Sequence, residues 1–390
     1  RLAEHGIVFE TARSQAACTF PSVNSLLTSQ PPSLFLRQPA REWAPLDGYK
    51  PIAEVLQRRG FETFAVSSSW VVRATESDHN NWGGGYDAGF DVFDEECAGL
   101  SADCVNRKAI DFVDAADGPW FLYLHYMDVH DPYRPPPASH QPAFARPYEG
   151  REEFRAGDPN PIVQSIYRDQ TPHDASERDL EHLSDLYDEE VLYLDGQLMQ
   201  LFTALHERGL LGSTLIALLS DHGEELLEHA HMKHCRSVYD TEVRTPLVFW
   251  IPGTQGGRRI RHAAQNVDIV PTVLDYIGEG AAIEGLAGRS LRAAIESDEA
   301  VNPHTFSEQG SFQAVSDGRY KLILDRSVDS VKLFDLEADR EEAYDLAGEL
   351  PGVEARLREG LRSWERISGP EALERARQSE ENLRALGYIE

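Results

Sequence analysis

The sequence predicts an α/β fold followed by a smaller subdomain, and two observations support this prediction. From Phe61 onward, short runs of β-branched or aromatic residues alternate with longer helical patterns, which is typical of strands joined by crossover helices. After a stretch rich in glycine and alanine at Gly278–Gly288, the pattern changes to short strands separated by turns. We therefore expect one domain at residues 1–284 and a C-terminal subdomain at residues 285–390.

The first region contains four clear strand patterns and one long helix pattern. The predicted strands are Phe61–Ser67, Trp120–Tyr126, Thr214–Asp221 and Pro246–Ile251. A helix is expected at about Ser176–Arg208, where apolar residues recur every three to four positions and Gly209 follows the end. Ligands of open α/β sheets bind beyond the carboxyl ends of the strands, so functional residues are expected just after Tyr126 and Ser220.

The C-terminal region is predicted to form a small antiparallel sheet and a terminal helix. The strands are expected at Phe312–Ser316, Tyr320–Asp325 and Lys332–Asp335, and a charged helix is expected near Val353–Ile367. One further segment, Arg134–Gln170, is rich in proline, glycine and charged residues. We interpret it as a long loop over the functional edge of the sheet.

Composition restricts the possible partners. The chain has 66 Asp and Glu residues against 37 Lys and Arg residues, so its formal net charge is −29. The resulting field repels nucleic acid and anionic membrane surfaces, and neither is expected as a partner. No run of the sequence approaches the roughly 18 apolar residues that a membrane-spanning helix needs. The compartment and the oligomeric state do not follow from these properties.

The first candidate site residue is Thr19, in a segment that is predicted to bring a hydroxyl group to the start of a helix. Thr19 suits an N-cap position, and Pro21 is tolerated in a first helical turn. The free N–H groups and the dipole at a helix start favour an anion such as phosphate or sulfate. Thr19 is therefore either a nucleophile beside a bound anion or an ordinary capping residue.

A second candidate site is Ser220–Glu224, where an apolar strand ends. An adjacent carboxylate and imidazole, Asp221 and His222, can both turn onto one divalent cation when a glycine follows them. The alternative interpretation is an ordinary polar turn at the end of a strand. The sequence thus predicts a metal site here, of a type that suits zinc or manganese.

Histidines form the third group of candidates. His130 lies just past a hydrophobic strand and could contact an anion or act as a general acid, whereas His125 is expected inside the strand with a structural role. His229, His231 and His234 follow the second candidate site. Of these three, His234 is the candidate for supplying a proton to a leaving group or for binding the transferred anion.

Taken together and in order, these segments resemble the sulfatase branch of the alkaline phosphatase superfamily over nearly the whole chain. Each matching motif is weak alone, whereas the ordered set is specific. The matching segments are the helix-initiating Arg1–Phe9, Pro21–Thr28, Gly89–Asp94, His125–Tyr133, Ser220–Glu224, Tyr239–Leu247, Asp268–Thr272, Gly285–Leu291 and Leu386–Tyr388.

The resemblance implies a three-layer α/β/α sandwich with a mostly parallel central sheet, and a catalytic role for the first domain. It also implies a divalent metal ion and transfer of a sulfuryl or phosphoryl group through a covalent intermediate. Thr19 occupies the nucleophile position. Asp221 and His222 match metal ligands, and Thr19 belongs to the same metal site. His130 matches an anion-contacting histidine, and His234 stands where relatives carry lysine or histidine. Calcium, zinc, manganese and magnesium all remain possible as the metal.

Two positions depart from the pattern of sulfatases that use formylglycine. Those enzymes mature the aldehyde from Cys or Ser two residues before the proline and carry Arg two residues after it, where this chain has Thr19 and Val23. Threonine cannot give that aldehyde, and Cys18 lies one residue out of register. Family members with threonine at this position are mainly phosphodiesterases and phosphotransferases, so we expect phosphoester chemistry in preference to sulfate ester chemistry.

The resemblance also leads us to expect an apolar strand, ending in metal-binding aspartates, before Arg1. On that expectation the N-terminal strand is missing, and the 390-residue chain alone has an incomplete metal site and little activity. Three functions stay open: a hydrolase or transferase of phosphate esters, a sulfuric ester hydrolase, and a catalytically inactive scaffold or fragment. The substrate is expected to be a small-molecule, glycan or lipid ester, and the sequence does not reveal its organic part.

The cysteines are too few for a disulfide scaffold, since there are four in the chain: Cys18, Cys97, Cys104 and Cys235. Cys97 and Cys104 could bridge a loop. Cys18 and Cys235 each adjoin a candidate site residue, so they lie either close to each other at one pocket or separately in the core.

Overall fold

The structure is a computed structural model. It describes residues 2–36, 50–75, 85–99, 101–133, 143–144, 146–148, 176–280 and 285–368. The predicted loop Arg134–Gln170 lies largely outside the described residues, and the matching segment Leu386–Tyr388 lies entirely outside them. Within the described ranges, no helix is both long enough and apolar enough to cross a membrane.

The strands and helices alternate along the first two thirds of the chain. The strands are β1 (Ile7–Phe9), β2 (Ala12–Arg13), β3 (Glu62–Ser67), β4 (Val92–Asp94), β5 (Trp120–His125), β6 (Ile216–Leu219), β7 (Glu225–Leu226), β8 (Met232–Lys233), β9 (Leu247–Trp250), β10 (Arg258–Ile260), β11 (Ala264–Gln265), β12 (Thr305–Gln309), β13 (Phe312–Ser316), β14 (Tyr320–Asp325) and β15 (Ser330–Asp335). The helices are α1 (Leu2–His5), α2 (Thr19–Thr28), α3 (Pro32–Leu36), α4 (Ile52–Gln57), α5 (Ala102–Ala115), α6 (Glu177–Glu207), α7 (Asp240–Val243), α8 (Ile269–Tyr276), α9 (Arg292–Ser297) and α10 (Pro351–Ser368).

The predicted α/β fold with a C-terminal antiparallel sheet is confirmed, but the start of the chain differs from the prediction. We expected Arg1–Phe9 to initiate a helix. Only Leu2–His5 is helical, and Ile7–Phe9 forms β1. Ile7 and Phe9 are almost completely buried between β9 and β10, which this short apolar run can fill only as a strand.

The central sheet consists of two parts. In one part the strand order is β4-β3-β5 and both pairings are parallel, as predicted. In the other part the order is β10-β1-β9-β6, and β9 runs antiparallel to both of its neighbours. Strand β6 therefore runs in the same direction as β1. The carboxyl ends of β5 and β6 lie at the same edge, which is where the candidate site residues follow.

Helices cover both faces of this sheet, as the three-layer prediction requires. On one face, buried residues of α5 and α6 pack against β5 and β6 in a cluster that contains Val113, Leu201 and Leu205. On the other face, α2, α4 and α8 form a second apolar cluster around residues such as Val23 and Leu56. The alternation of side chains along β5 places successive residues in these two clusters.

A cavity of about 1100 Å³ lies between the two parts of the sheet. No strand among the described residues pairs with the outer edges of β5 and β6, and both edges line this cavity together with apolar residues of the helices on each face. Thr19, His130, Asp221 and His222 line the same cavity. An apolar strand of the kind that the resemblance predicts would find two strand edges and apolar walls here.

The C-terminal sheet is a simple antiparallel meander in the order β12-β13-β14-β15. Helix α10 covers one face, where Leu357 and Leu361 join a buried cluster with Leu322 and Leu333. The other face packs against the first domain through residues such as Ile323 and Val238. The subdomain thus supports the segment that carries His234, since Val238 lies only four residues further along the chain.

Candidate functional site

Thr19 is the first residue of α2 rather than its N-cap. The N-cap is Cys18, in an extended conformation and without a capping side-chain bond, so our assignment of Thr19 to the cap was wrong by one residue. The Thr19 hydroxyl contacts His222 instead of capping the helix, and its oxygen lies 3.1 Å from Nε2 of that residue. Thr19 itself is half-buried, so a ligand can reach its hydroxyl.

The turn that carries Asp221 and His222 begins directly after β6. Ser22 of α2 donates to the Asp221 carbonyl at 2.5 Å, which fixes the turn to the helix that starts at Thr19. Gly223 is required here because a Cβ atom would lie 2.2 Å from the carbonyl oxygen of Thr241. The glycine therefore lets the turn pack closely against the neighbouring backbone.

The tautomer of His222 follows from its contacts. Nδ1 lies 2.8 Å from the Gly223 carbonyl oxygen, which can only accept, so in the neutral ring the proton is on Nδ1. The lone pair of Nε2 then points toward Thr19 Oγ1, and Nε2 is also 3.6 Å from Asp221 Oδ2. The Thr19 hydroxyl and a carboxylate oxygen of Asp221 thus both lie near Nε2 of His222.

Asp221 provides the test of whether these residues suit a cation. Its buried Oδ2 atom has no hydrogen-bond partner, a costly state unless something else compensates the charge. Burial raises the pKa of Asp221, but His222, His125 and His234 outweigh that effect and hold the pKa below its ordinary value. The ionised oxygen, with Nε2 of His222, is a donor pair that a divalent metal ion accepts.

The donor set is small. Among the described residues, no group of three or more His, Cys, Asp or Glu side chains has the arrangement of a metal site. The described chain thus contributes Asp221, His222 and the hydroxyl of Thr19. These residues fit a cation that takes its remaining ligands elsewhere, such as from water or substrate.

His234 and His130 lie next to this group. The ring centroid of His234 is 4.3 Å from that of His222 and 5.0 Å from that of His130. Nδ1 of His234 is 2.9 Å from Glu224 Oε1, and Nδ1 of His130 is 2.6 Å from the Asp131 carbonyl oxygen. Each ring is therefore held through Nδ1 and can present Nε2 to a ligand.

The other candidate histidines do not join the group. His229 stacks on Tyr239 with a centroid distance of 3.7 Å and bonds the Glu341 carbonyl, which is a structural role, while His231 is exposed. His125 ends β5 and lies 2.8 Å from the Tyr123 hydroxyl through Nδ1. It lies in the strand, as we expected, and it also lines the cavity and lowers the pKa of Asp221.

Two features of the site were missed or left open by the sequence analysis. Glu224 holds His234 in place. Its position only two residues after His222 could have indicated that it belongs to the site. Cys18 and Cys235 form a disulfide, although they are 217 residues apart. The second pair, Cys97 and Cys104, is also bridged, as the short spacing allowed.

Comparison with known proteins assigns the chain to a family. A family model described as Sulfatase matches residues 1–279. Arylsulfatase K of Xenopus laevis is 29% identical over 185 residues, which is 43% of this chain and 34% of that protein. Choline-sulfatase of Rhizobium meliloti (strain 1021) is 27% identical over 278 residues, which is 65% of this chain and 51% of that protein. The match thus spans about a third to a half of the length of these relatives.

The phosphonate monoester hydrolase of Agrobacterium radiobacter has a similar structure. Its TM-score is 0.71 at 17% identity, and the alignment covers 94% of this chain and 90% of that chain. At this low identity the likeness shows the fold alone. It agrees with the alkaline phosphatase-like architecture that the sequence motifs implied.

Proposed function

The chain belongs to the sulfatase family, and we propose that it is a metal-dependent hydrolase or transferase that cleaves esters through a covalent intermediate on Thr19. We further propose that phosphate esters are preferred to sulfate esters. The substrate would be a small-molecule, glycan or lipid ester. The observation that carries the proposal is that the Thr19 hydroxyl and the unpartnered oxygen of Asp221 both lie near His222 Nε2.

The preference for phosphate esters rests on the chemistry of Thr19. Oxidation of a primary alcohol or thiol side chain can give an aldehyde, whereas the secondary alcohol of threonine could give only a ketone. The hydrated aldehyde nucleophile of formylglycine enzymes is therefore unavailable, and Thr19 must attack through its hydroxyl. Val23 supports the same conclusion, since it stands where the resemblance expects arginine.

A divalent cation is the cofactor in this proposal. Members of the family generally use one, typically calcium, and Asp221, His222 and Thr19 would hold it here. When bound, such an ion supplies positive charge that lowers the pKa of a hydroxyl and stabilises charge on the transferred group. The imidazole of His222 would also allow zinc or manganese.

The residues of the chain would then divide the reaction between them. The Thr19 hydroxyl gives up its proton to solvent, its oxygen attacks the phosphorus or sulfur atom, and the bond from that atom to the ester oxygen breaks. His234 donates a proton to the departing oxygen, because Glu224 anchors its Nδ1 and leaves Nε2 to face the site. His130 contacts the anionic oxygens. Water, or an acceptor alcohol, then releases the group from Thr19.

Sulfate ester hydrolysis is the second candidate function. The observation in its favour is that the relatives described above are named arylsulfatase K and choline-sulfatase. An unmodified threonine would then attack sulfur by the same route. This alternative changes the transferred group but not the assignment of Thr19, Asp221, His130 and His234.

The substrate comparison uses the natural full-length protein and aryl esters with the same leaving group. We expect kcat/KM for bis(p-nitrophenyl) phosphate to exceed that for p-nitrophenyl sulfate in the presence of magnesium, calcium, manganese or zinc. A higher value for the sulfate would overturn the preference and favour the second candidate. Absence of turnover with every ester and metal would favour an inactive scaffold, and a Thr19→Ala variant with undiminished turnover would exclude Thr19 as nucleophile.

A further inference from the structure

The Cys18–Cys235 disulfide is a feature that the proposed chemistry does not use. We propose that it is a positioning device that holds His234 against Thr19, and that a dithiol which reduces it separates the proton donor from the nucleophile. This inference rests on the proposed function and adds a redox-sensitive positioning pair to it. It concerns the segment Glu224–Ser237, which we call the His234 arm.

The disulfide joins the residue next to Thr19 to the residue next to His234. Cys18 directly precedes Thr19, and Cys235 directly follows His234. The Cα atoms of the two cysteines are 4.7 Å apart, and the Cys235 N–H donates to the Ala17 carbonyl at 2.8 Å. Any movement of one segment relative to the other would therefore change the distance between the proposed nucleophile and the proposed proton donor.

The His234 arm has little regular structure to hold it. Its strands β7 and β8 contain two residues each, and among the described residues they pair only with each other. Lys233 and Cys235, on either side of His234, adopt φ angles of 70° and 69°. Such left-handed conformations are unfavourable for residues other than glycine and persist only where surrounding contacts impose them. The disulfide is the covalent contact at this point.

The second disulfide provides an internal contrast. Cys97 and Cys104 are seven residues apart and buried, at 0% and 6% exposure, in an apolar cluster with Val66 and Val105. Cys18 and Cys235 are half-buried beside the cavity. A small reductant in solution should therefore reach the Cys18–Cys235 bond first. The Cys97–Cys104 pair is a matched control, since neither cysteine adjoins a residue of the proposed site.

Reduction requires a named partner. A dithiol such as dithiothreitol would attack the disulfide as a thiolate, form a mixed disulfide, and close to its cyclic disulfide. Two electrons and two protons pass to the protein, which gains two thiols, and the dithiol is oxidised. Thr19, Asp221 and His222 stay connected through the bond from Ser22 to the Asp221 carbonyl, so the cation site is expected to survive reduction.

The first experiment measures the arm directly and needs no catalysis. The protein is reduced with increasing dithiothreitol, free thiols are alkylated and located by mass spectrometry, and amide hydrogen exchange is followed. We expect Cys18 and Cys235 to be alkylated before Cys97 and Cys104, and exchange to rise in the His234 arm. Unchanged exchange in the arm of the selectively reduced protein would overturn the proposal, whether or not the protein is an esterase.

The second experiment tests the connection to His234. Phosphodiesters with a poor leaving group such as phenol depend more on a proton donor than those with p-nitrophenol. We expect reduction to lower kcat by about tenfold or more for the phenyl ester and by less for the p-nitrophenyl ester. In a His234→Gln background, reduction should have no further effect on either ester.

Several controls keep the result interpretable. Reoxidation should restore the rate, which separates release of the arm from irreversible unfolding. The variant Cys97→Ala/Cys104→Ala should keep both the rate and its sensitivity to dithiothreitol. Equal slowing of both esters, or equal slowing in the His234→Gln background, would contradict the proposal because the disulfide would then act on something other than His234.

Discussion

A half-buried polar cluster at the candidate site and a more deeply buried polar cluster beneath the C-terminal sheet differ in how their charges are compensated. The site cluster consists of Thr19, Asp221, His222 and His234. The bridging cluster joins the C-terminal sheet to the first domain through one charged residue from each of β2, α7 and β14 and from the loop after β15. Its members are Arg13, Asp240, Lys321 and Glu342.

The bridging cluster is internally complete. Asp240 lies 2.7 Å from Arg13 Nη2 and 2.7 Å from Lys321 Nζ, which is also 2.9 Å from Glu342 Oε1. Burial raises the pKa of Asp240, but the two cations outweigh it and hold the pKa well below its ordinary value. Each of the two buried carboxylates thus has the nitrogen of a cationic side chain within 2.9 Å.

The site cluster is not complete in this sense. The buried Oδ2 atom of Asp221 has no hydrogen-bond partner, and it faces Nε2 of His222 at 3.6 Å. Buried charges are stable when they are paired or bound to metal. The comparison teaches that a cluster whose carboxylates contact cationic side chains directly serves stability, whereas a cluster with an unbonded carboxylate oxygen beside an imidazole has room for a ligand. Changes in the two clusters should therefore affect different properties.

The largest effect is expected for removal of the proposed nucleophile. Thr19→Ala should lower kcat by about 10⁴-fold or more, because the covalent intermediate of the proposed reaction forms on the Thr19 hydroxyl. The thermal midpoint should change little, since the hydroxyl has its bond to His222 rather than a capping role. Thr19→Ser is the matched control and should retain measurable turnover, because it keeps a hydroxyl at the same position. If Thr19→Ala and Thr19→Ser had similar turnover, the Thr19 hydroxyl would not be needed for catalysis, and the site cluster would not differ from the bridging cluster in function.

A change in the bridging cluster should act on stability instead. Lys321→Met should lower the free energy of unfolding by about 3–5 kcal/mol, because Asp240 and Glu342 lose a buried cation. Urea denaturation measures this change, and kcat of the remaining folded protein should stay near the wild-type value. The neighbouring Lys332 is exposed on β15, so Lys332→Met should cost less than about 1 kcal/mol.

Another buried acid, Glu242 of α7, gives a pH-dependent prediction. Burial raises the pKa of Glu242 from its ordinary value of 4.5 to about 7. Between pH 4.5 and pH 7, Glu242 is therefore ionised in the unfolded chain but keeps its proton in the folded chain. Stability should therefore fall as the pH rises from 4.5 to 7, by about 3 kcal/mol.

The test for Glu242 is the slope of unfolding free energy against pH. Glu242→Gln carries no ionisable group, so its slope across this window should be flatter than that of the wild type. Glu337 is exposed, and Glu337→Gln should keep the wild-type slope. An unchanged slope in Glu242→Gln would show that the buried acid does not couple folding to protons.

Removal of the unpartnered carboxylate should weaken the response to cations. In Asp221→Asn, the concentration of manganese or calcium that raises the thermal midpoint should increase about 10–100-fold, which is about 1.4–2.7 kcal/mol. Without metal, the variant should be slightly less stable than the wild type, because Asn cannot keep the interactions with His222, His125 and His234 that hold the Asp221 pKa below its ordinary value. Asp128→Asn, whose carboxylate accepts from the Ala102 N–H at the start of α5, should keep the wild-type response.

The smallest effect is expected for an ion pair on the surface. Glu54 of α4 and Arg58, the residue just after that helix, are 2.7 Å apart, and the Arg58 side chain is mostly exposed. Arg58→Gln should change the free energy of unfolding by about 0.5 kcal/mol or less, because solvent screens the pair. A change as large as that of Lys321→Met would show that burial does not separate structural from incidental ion pairs here.

Elements with a strong local pattern were predicted well. The helix expected at Ser176–Arg208 is Glu177–Glu207, and the strand expected at Trp120–Tyr126 is Trp120–His125. Periodic burial of apolar residues is a local property, and it determines these elements almost alone. The strand Ile7–Phe9 was missed because three residues are too few to show a period of two, and only its buried partners β9 and β10 make it a strand.

The sequence by itself determined the fold class, the family, and the candidate residues Thr19, Asp221, His222, His130 and His234. These follow from motifs whose residue types and order are visible along the chain. Only the tertiary structure decided which candidates meet, which nitrogen of His222 faces Thr19, and that Cys18 pairs with Cys235. Those are contacts between segments about 200 residues apart. Their geometry depends on how β2, β6 and the His234 arm are packed together, and no local pattern carries that information.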